Sequence, residues 1–260
     1  MTTSLSPRTH GGEAPPSSAL GPIPFLRLVR VEWAKATDTR AAGWLLALVA
    51  LSTAGMMLVP VLAPTSFDQT YASYLGVAAL ALSILLPAVA ILMLTGEWSQ
   101  RSAFTTFTQE PRRIRVLNAK VAASMVLAGG AAVFGGVVTA AGLGLAAASG
   151  RALEADLTIG ASTGYLLFVV LNVLAGVALG ALLQSSATAI AASFALPAAF
   201  AVLGTASTLV SGWIDMSTTW SWVLENDWAG HVPQIAFSIV FWVAVPLAAG
   251  VVRTMRRDVG

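Results

Sequence analysis

The chain has 260 residues, of which 57% are hydrophobic and 10% charged, and its formal net charge is +2. A soluble domain carries about a quarter charged residues, so this composition excludes an ordinary water-soluble core, and so small a net charge argues against nucleic acid as a partner. There is no cysteine, which removes disulfides and thiolate metal sites.

Residues 1–22 are rich in Pro, Ser, Thr and Gly. Such a stretch buries too little apolar surface to order itself and reads as a disordered cytoplasmic tail; no apolar run follows a basic start, so it is not a signal peptide. Residues 23–260 read as one membrane domain. In Phe25–Arg40, the side chains Phe25, Leu26, Leu28, Val29, Trp33 and Ala36 share one broad helical arc, with Arg27, Arg30, Val31 and Lys35 mostly elsewhere. That pattern predicts an amphipathic helix lying in the membrane interface. Glu32 breaks the apolar arc, and a neighbouring base, Lys35 or Arg30, is the expected partner; a role at a partner interface is the alternative.

Six apolar runs follow, to be set against the roughly 20 residues that cross a bilayer: Trp44–Leu62, Leu75–Thr95, Val121–Ala148, Leu157–Leu183, Ala187–Ser211 and Ile235–Val252; the third and fourth are long enough to tilt or project beyond it. Gln184-Ser185-Ser186 is a short polar break between the fourth and fifth, with one bent helix as the alternative. Pro87, Pro197 and Pro246 predict kinks inside spans. The neutral polar residues within spans should mostly bond back to their own helix; Asn172 is the exception, because a mid-span amide seeks a partner on another helix. Gly176-x-x-x-Gly180 predicts close helix contact, within the chain or between subunits.

Between the second and third runs, Gly96–Lys120 holds Arg101, Arg112, Arg113, Arg115 and Lys120 against two acids, Glu97 and Glu110. Trp98–Gln109 can form a helix that Pro111 stops. Gln100, Ala103, Phe104 and Phe107 share one side of it, so the phenylalanines either dip into headgroups or fit a groove on a soluble partner. With the N-terminus in the cytoplasm, five basic residues precede the first span, five stand in this segment and three (Arg253, Arg256, Arg257) follow the last. Of the 14 lysines and arginines only Arg151 then falls outside, which predicts cytoplasmic termini in the cell (plasma) membrane. The last outer loop, Gly212–Pro233, holds Trp213, Trp220, Trp222 and Trp228. These form an interfacial belt or, alternatively, sit on short re-entrant helices that make an outer lid. His231 reads as a solvated loop residue.

No span interior holds Asp, Glu, Lys, Arg or His, which argues against proton or ion coupling, and no phosphate-binding loop or metalloprotease motif occurs. The chain is therefore not expected to be an enzyme or to hydrolyse ATP, and no metal or cofactor is expected in it.

Val31-Glu32-Trp33-x-Lys35 in an N-terminal amphipathic helix, Gly96-Glu97 before a polar-aromatic helix, Pro111-Arg112-Arg113, Lys120 at the next span and the closing Arg256-Arg257-Asp258 together resemble ABC-2 type permeases, the membrane subunits of one class of ATP-binding-cassette exporters. The resemblance runs from Phe25 to Val259. It implies an all-α polytopic fold of six transmembrane helices, with an N-terminal interfacial helix and a cytoplasmic coupling helix that docks on an ATPase through Glu97, Trp98, Arg101, Phe104, Phe107, Arg112 and Arg113. It also implies P-loop ATPase subunits as partners, binding ATP and Mg, a second permease (identical or similar), contact with membrane lipid, and outward export of an amphipathic or hydrophobic solute. A secondary or uncoupled transporter is one alternative; a membrane scaffold or immunity protein without pumping activity is another, and a membrane enzyme a distant third.

Overall fold

The computed structural model describes residues 23–38, 40–99, 112–153 and 158–256. The expected tail at 1–22 and the centre of the expected coupling helix, 100–111, lie outside the described residues. Those described form helices and connecting loops, with no strand among them. In chain order the helices are α1 (Phe25–Thr37), α2 (Arg40–Leu62), α3 (Tyr71–Ser99), α4 (Arg113–Ala148), α5 (Ile159–Leu183), α6 (Ser186–Ala206), α7 (Thr208–Trp213), α8 (Met216–Leu224), α9 (Val232–Ile239) and α10 (Val245–Arg256). A wide π turn, Val240–Ala244, joins α9 and α10 into one run. Six helical runs are long and apolar enough to cross a membrane: Ala42–Leu62, Tyr71–Gly96, Ile114–Ala148, Ile159–Leu183, Ser186–Ala206 and Val232–Arg256.

The bundle is built on α3 and α5. Two-thirds of the apolar window of each (67%) is buried, against 22% in α2, 33% in α4 and 22% in the last run, and only 6% in α6. Small residues bring the two backbones together. A Cβ at Gly176 would stand 2.6 Å from the Pro87 carbonyl oxygen, and one at Gly180 would stand 3.3 Å from Leu94 Cδ2. Both glycines therefore pack within the chain, against α3. On the far side of α5, a Cβ at Gly250 of α10 would meet Ala181 at 2.5 Å.

The break between α5 and α6 is real, and the bent-helix alternative fails. Gln184 ends α5 in a left-handed conformation, φ 52°, with its N–H on the Gly180 carbonyl, a common way to stop a helix. Arg253 Nη1 donates to the Leu182 carbonyl at 2.7 Å and Gln184 Nε2 to Thr254 Oγ1 at 3.0 Å, so α10 is fastened to this turn.

Several span limits differ from the hydropathy reading. The apolar run Ala187–Ser211 is two helices: α6 stops at Ala206, and Ser207 caps α7 by accepting from the Val210 N–H. A hydropathy window averages across this corner, Thr205-Ala206-Ser207-Thr208, because apolar residues flank it on both sides, while one side chain there offers the backbone another bond. α4 starts at Arg113 rather than Val121 and has 36 residues, about 54 Å at 1.5 Å per residue against a hydrocarbon core of about 30 Å. Its first turns therefore stand beyond the apolar layer. Pro60, Pro87 and Pro197 lie inside helices. Pro246 follows the π turn, where the Val245 N–H bonds the Val240 carbonyl five residues back; the wide turn relieves the ring's clash with the preceding turn.

Candidate functional site: a roofed cavity between the spans

A cavity of about 270 Å³ lies among α3, α5, α6 and α8, at the small end of small-molecule sites. Leu80, Ser83, Ile84 and Pro87 come from α3, and Ser193, Phe194 and Pro197 from α6. Phe168, Asn172, Ala175, Gly176 and Leu179 of α5 form the floor. Met216, Ser217, Trp220, Ser221 and Leu224 of α8 make the roof, with Trp242 beside them. No Asp, Glu, Lys, Arg or His is among the lining residues.

The roof is held by specific bonds. Asp215 caps α8, its Oδ1 accepting from the Ser217 N–H at 3.0 Å and its Oδ2 from Thr218 Oγ1 at 2.7 Å. Thr219 Oγ1 and Ser238 Oγ, both fully buried, share a bond of 2.8 Å between α8 and α9. Trp242 Nε1 donates to the Ile214 carbonyl at 2.7 Å. A Cβ at Gly164 of α5 would run into the Val223 and Leu224 carbonyls, so the end of α8 sits directly on α5.

The four outer-loop tryptophans have different environments. Trp220 is 1% exposed and lines the cavity, and its indole N–H meets no acceptor among the described residues. It is therefore no headgroup anchor, which corrects the belt reading at that position. Trp213 is partly exposed and packs edge-on against Phe237 at 5.8 Å. Trp222 stacks on His231 at 4.0 Å, and Trp228 has a buried indole nitrogen. His231 is thus not merely solvated: one face stacks on Trp222, and Nδ1 lies 3.6 Å from Asp227 Oδ2.

Asn172 donates from Nδ2 to the Phe168 carbonyl of its own helix at 2.9 Å. That corrects the expectation of a partner on another helix; its neighbour on the other side is the cavity. Thr53, Ser83, Ser124, Ser193 and Thr205 bond back to their own helices as expected.

At the opposite, basic end, a second polar centre joins α1 to α4. Glu32 is 7% exposed; its Oε2 accepts from Lys120 Nζ at 2.6 Å and its Oε1 from Lys35 Nζ at 2.9 Å. Trp33 packs against the apolar core beside it. Glu32 thus marks the inward face of α1, while Phe25 and Leu26 are 40% and 80% exposed. The apparent flaw in the apolar arc is where the helix is fastened, and Lys120, 88 residues away, was not an expected partner. Arg115 Nη2 reinforces the seat by donating to the Ile23 carbonyl at 2.7 Å.

The remaining coupling residues are not placed together. Arg101, Phe104 and Phe107 lie outside the described residues; Glu97 and Trp98 stand in the last turn of α3, Arg113 in the first turn of α4, and Arg112 precedes it, exposed. Sequence reasoning missed the cavity residues Ser83, Pro87, Ser193 and Pro197. Their signal is a repeated Ser-x-x-x-Pro in two different spans, Ser83…Pro87 and Ser193…Pro197.

No family model matches the chain, and no curated protein matches it.

Proposed function

We propose that this chain is the permease subunit of an ATP-driven exporter of the ABC-2 type, moving an amphipathic or hydrophobic solute outward. The observation that carries the reading is the apolar, charge-free cavity roofed by α8 inside a bundle whose basic side chains, Arg151 apart, stand at one end. Among the described spans, Arg115 and Lys120 lie in the first two turns of α4, and Arg253 and Arg256 lie in the last turn of α10. Ion-coupled carriers use ionisable groups at membrane depth, so energy for uphill movement comes from elsewhere: a P-loop ATPase subunit that binds ATP and Mg. The basic end, where α1 is fastened to α4, is the face such a partner would engage from the cytoplasm, and a second permease, identical or similar, would complete the assembly. The outward path then leads past the roof.

Orientation is testable first. Single cysteines at the exposed positions Asp68 and Glu225 should react with an impermeant thiol reagent added to intact cells, and cysteines at Asp38 and Arg112 only after permeabilisation. The reverse labelling would invert the protein and remove the coupling argument. The decisive experiment is co-purification with the ATPase and ATP-dependent uptake into inverted vesicles. Phe104→Ala and Phe107→Ala should each abolish both while the protein still inserts, since truncating an interface anchor commonly costs about 2 kcal/mol or more. Normal transport by both variants would leave these side chains to the lipid and sink the docking assignment.

A further inference from the structure

The polar groups around the cavity are mostly acceptors with nothing to accept, beside two unmet donors among the described residues, the Trp220 indole N–H and the second amide hydrogen of Asn172. The hydroxyls of Ser83, Ser193 and Ser221 each donate their single hydrogen to their own helix, at 2.8, 2.8 and 3.0 Å, on Leu80, Ile190 and Thr218; their oxygens keep free lone pairs. Asn172 gives one amide hydrogen to Phe168, and its carbonyl oxygen receives none among the described residues. The two prolines add to this surplus. Proline has no N–H, so Pro87 and Pro197 deprive the carbonyls four residues earlier, those of Ser83 and Ser193, of their helical donors. Both proline–serine pairs border the cavity.

We propose that this cavity binds an uncharged, mainly apolar molecule that carries a hydroxyl or similar hydrogen-bond donor, and that the molecule enters sideways from the bilayer between α3 and α6. Leu80, Ile84 and Phe194 flank that opening and are 52%, 50% and 47% exposed, whereas Trp220 shuts the roof. A carboxylate or phosphate would find lone pairs and two neutral N–H groups but no cation to offset its desolvation, and a cation would find no carboxylate; an alcohol can both donate to the acceptors and accept from the Trp220 N–H. A helix of a second copy laid over the opening would have its own N–H groups already bonded within itself and would leave the acceptors unmet. A free alcohol meets them while its chain fills the apolar walls. The inference deepens the exporter reading by naming a cargo class, but it is measured as binding, without an ATPase, so the two readings fail separately.

The test uses the purified full chain in phosphatidylcholine nanodiscs and three photoreactive probes of equal chain length: a primary alcohol, an alkane and a carboxylate. The alcohol should label the peptides around Leu80–Pro87 and Ser193–Pro197 saturably, at roughly two- to tenfold lower concentration than the alkane, the worth of one hydrogen bond, and the carboxylate should label least. Pro197→Ala returns an N–H to the Ser193 carbonyl and improves the helix. It should therefore shrink the preference for the alcohol over the alkane without unfolding the protein. Equal labelling by alcohol and alkane, strongest labelling by the carboxylate, no saturable labelling, or an unchanged preference in Pro197→Ala would each overturn the proposal.

Discussion

Glu32→Ala should unseat α1. The carboxylate lies at the centre of a buried contact with Lys120 at 2.6 Å and a second contact with Lys35 at 2.9 Å. Removing one member of a buried ion pair costs about 3–5 kcal/mol, because the other charge keeps its desolvation penalty and loses its nearest compensation. Little else on α1 offsets this: Glu32 is its one fully buried residue, and Trp33 packs only partly. A thermal melt in detergent should fall, and limited proteolysis should cut within Phe25–Thr37 before the spans. The double variant Glu32→Gln/Lys120→Met should recover much of the loss, since replacing a whole buried pair by neutral groups is often tolerated. If the double variant is as unstable as the two single losses added together, the pair is not coupled and α1 is held by packing alone.

Gly176→Val should be strongly damaging, because it strikes the best-buried contact of the bundle. The atoms a Cβ would meet, the Pro87 carbonyl oxygen at 2.6 Å and Cα at 3.0 Å, belong to a backbone that cannot swing aside like a side chain. The α3–α5 contact is the best-buried part of the bundle, so the helices must separate and lose packing along their length. Overpacking of this kind costs typically 1–3 kcal/mol, and more where backbone must move. The cavity, which both Pro87 and Gly176 border, should distort as well. Gly136→Ala on α4 is the control: a Cβ there meets nothing within 4 Å, and the added helix propensity should raise stability by about 0.5–1 kcal/mol. Melting temperatures that move together in the two variants would dissociate stability from the α3–α5 contact.

The spans were legible because hydropathy is a property of long runs, and one helix per bilayer thickness follows from backbone hydrogen bonding in lipid. Their ends were less so. The corner at Ser207 and the early start of α4 depend on single capping side chains and on what covers a projecting helix, and neither changes average hydropathy. Glu32 shows the same limit at one residue. Periodicity correctly placed it on the apolar side of α1, but assigned that side to lipid, because the covering partner is Lys120 from a distant segment. Gly176 and Gly180 advertised close packing, though only the folded chain shows that α3 is the helix they meet. The cavity was the least legible feature: its serines satisfy local bonds and its prolines look like ordinary kinks until both Ser-x-x-x-Pro pairs are seen to face one space.

The π turn at Val240–Ala244 acts as a phase shifter for the end of the chain. It holds one residue more than a regular turn, so everything beyond it is rotated by about 100° from where an unbroken helix would place it. That offset is what aims Gly250 at Ala181 and Thr254 at Gln184. Regularising the turn without a change of length would dial every later contact to a different face, whereas a single-codon deletion between Val240 and Ala244 that removes the wide turn with its extra residue would leave those faces where they are. During divergence, length and turn type at this point are therefore bound together: a lineage that straightens the turn but keeps the residue must find a new small side chain and a new hydroxyl one step along, or give up the fastening of its final helix.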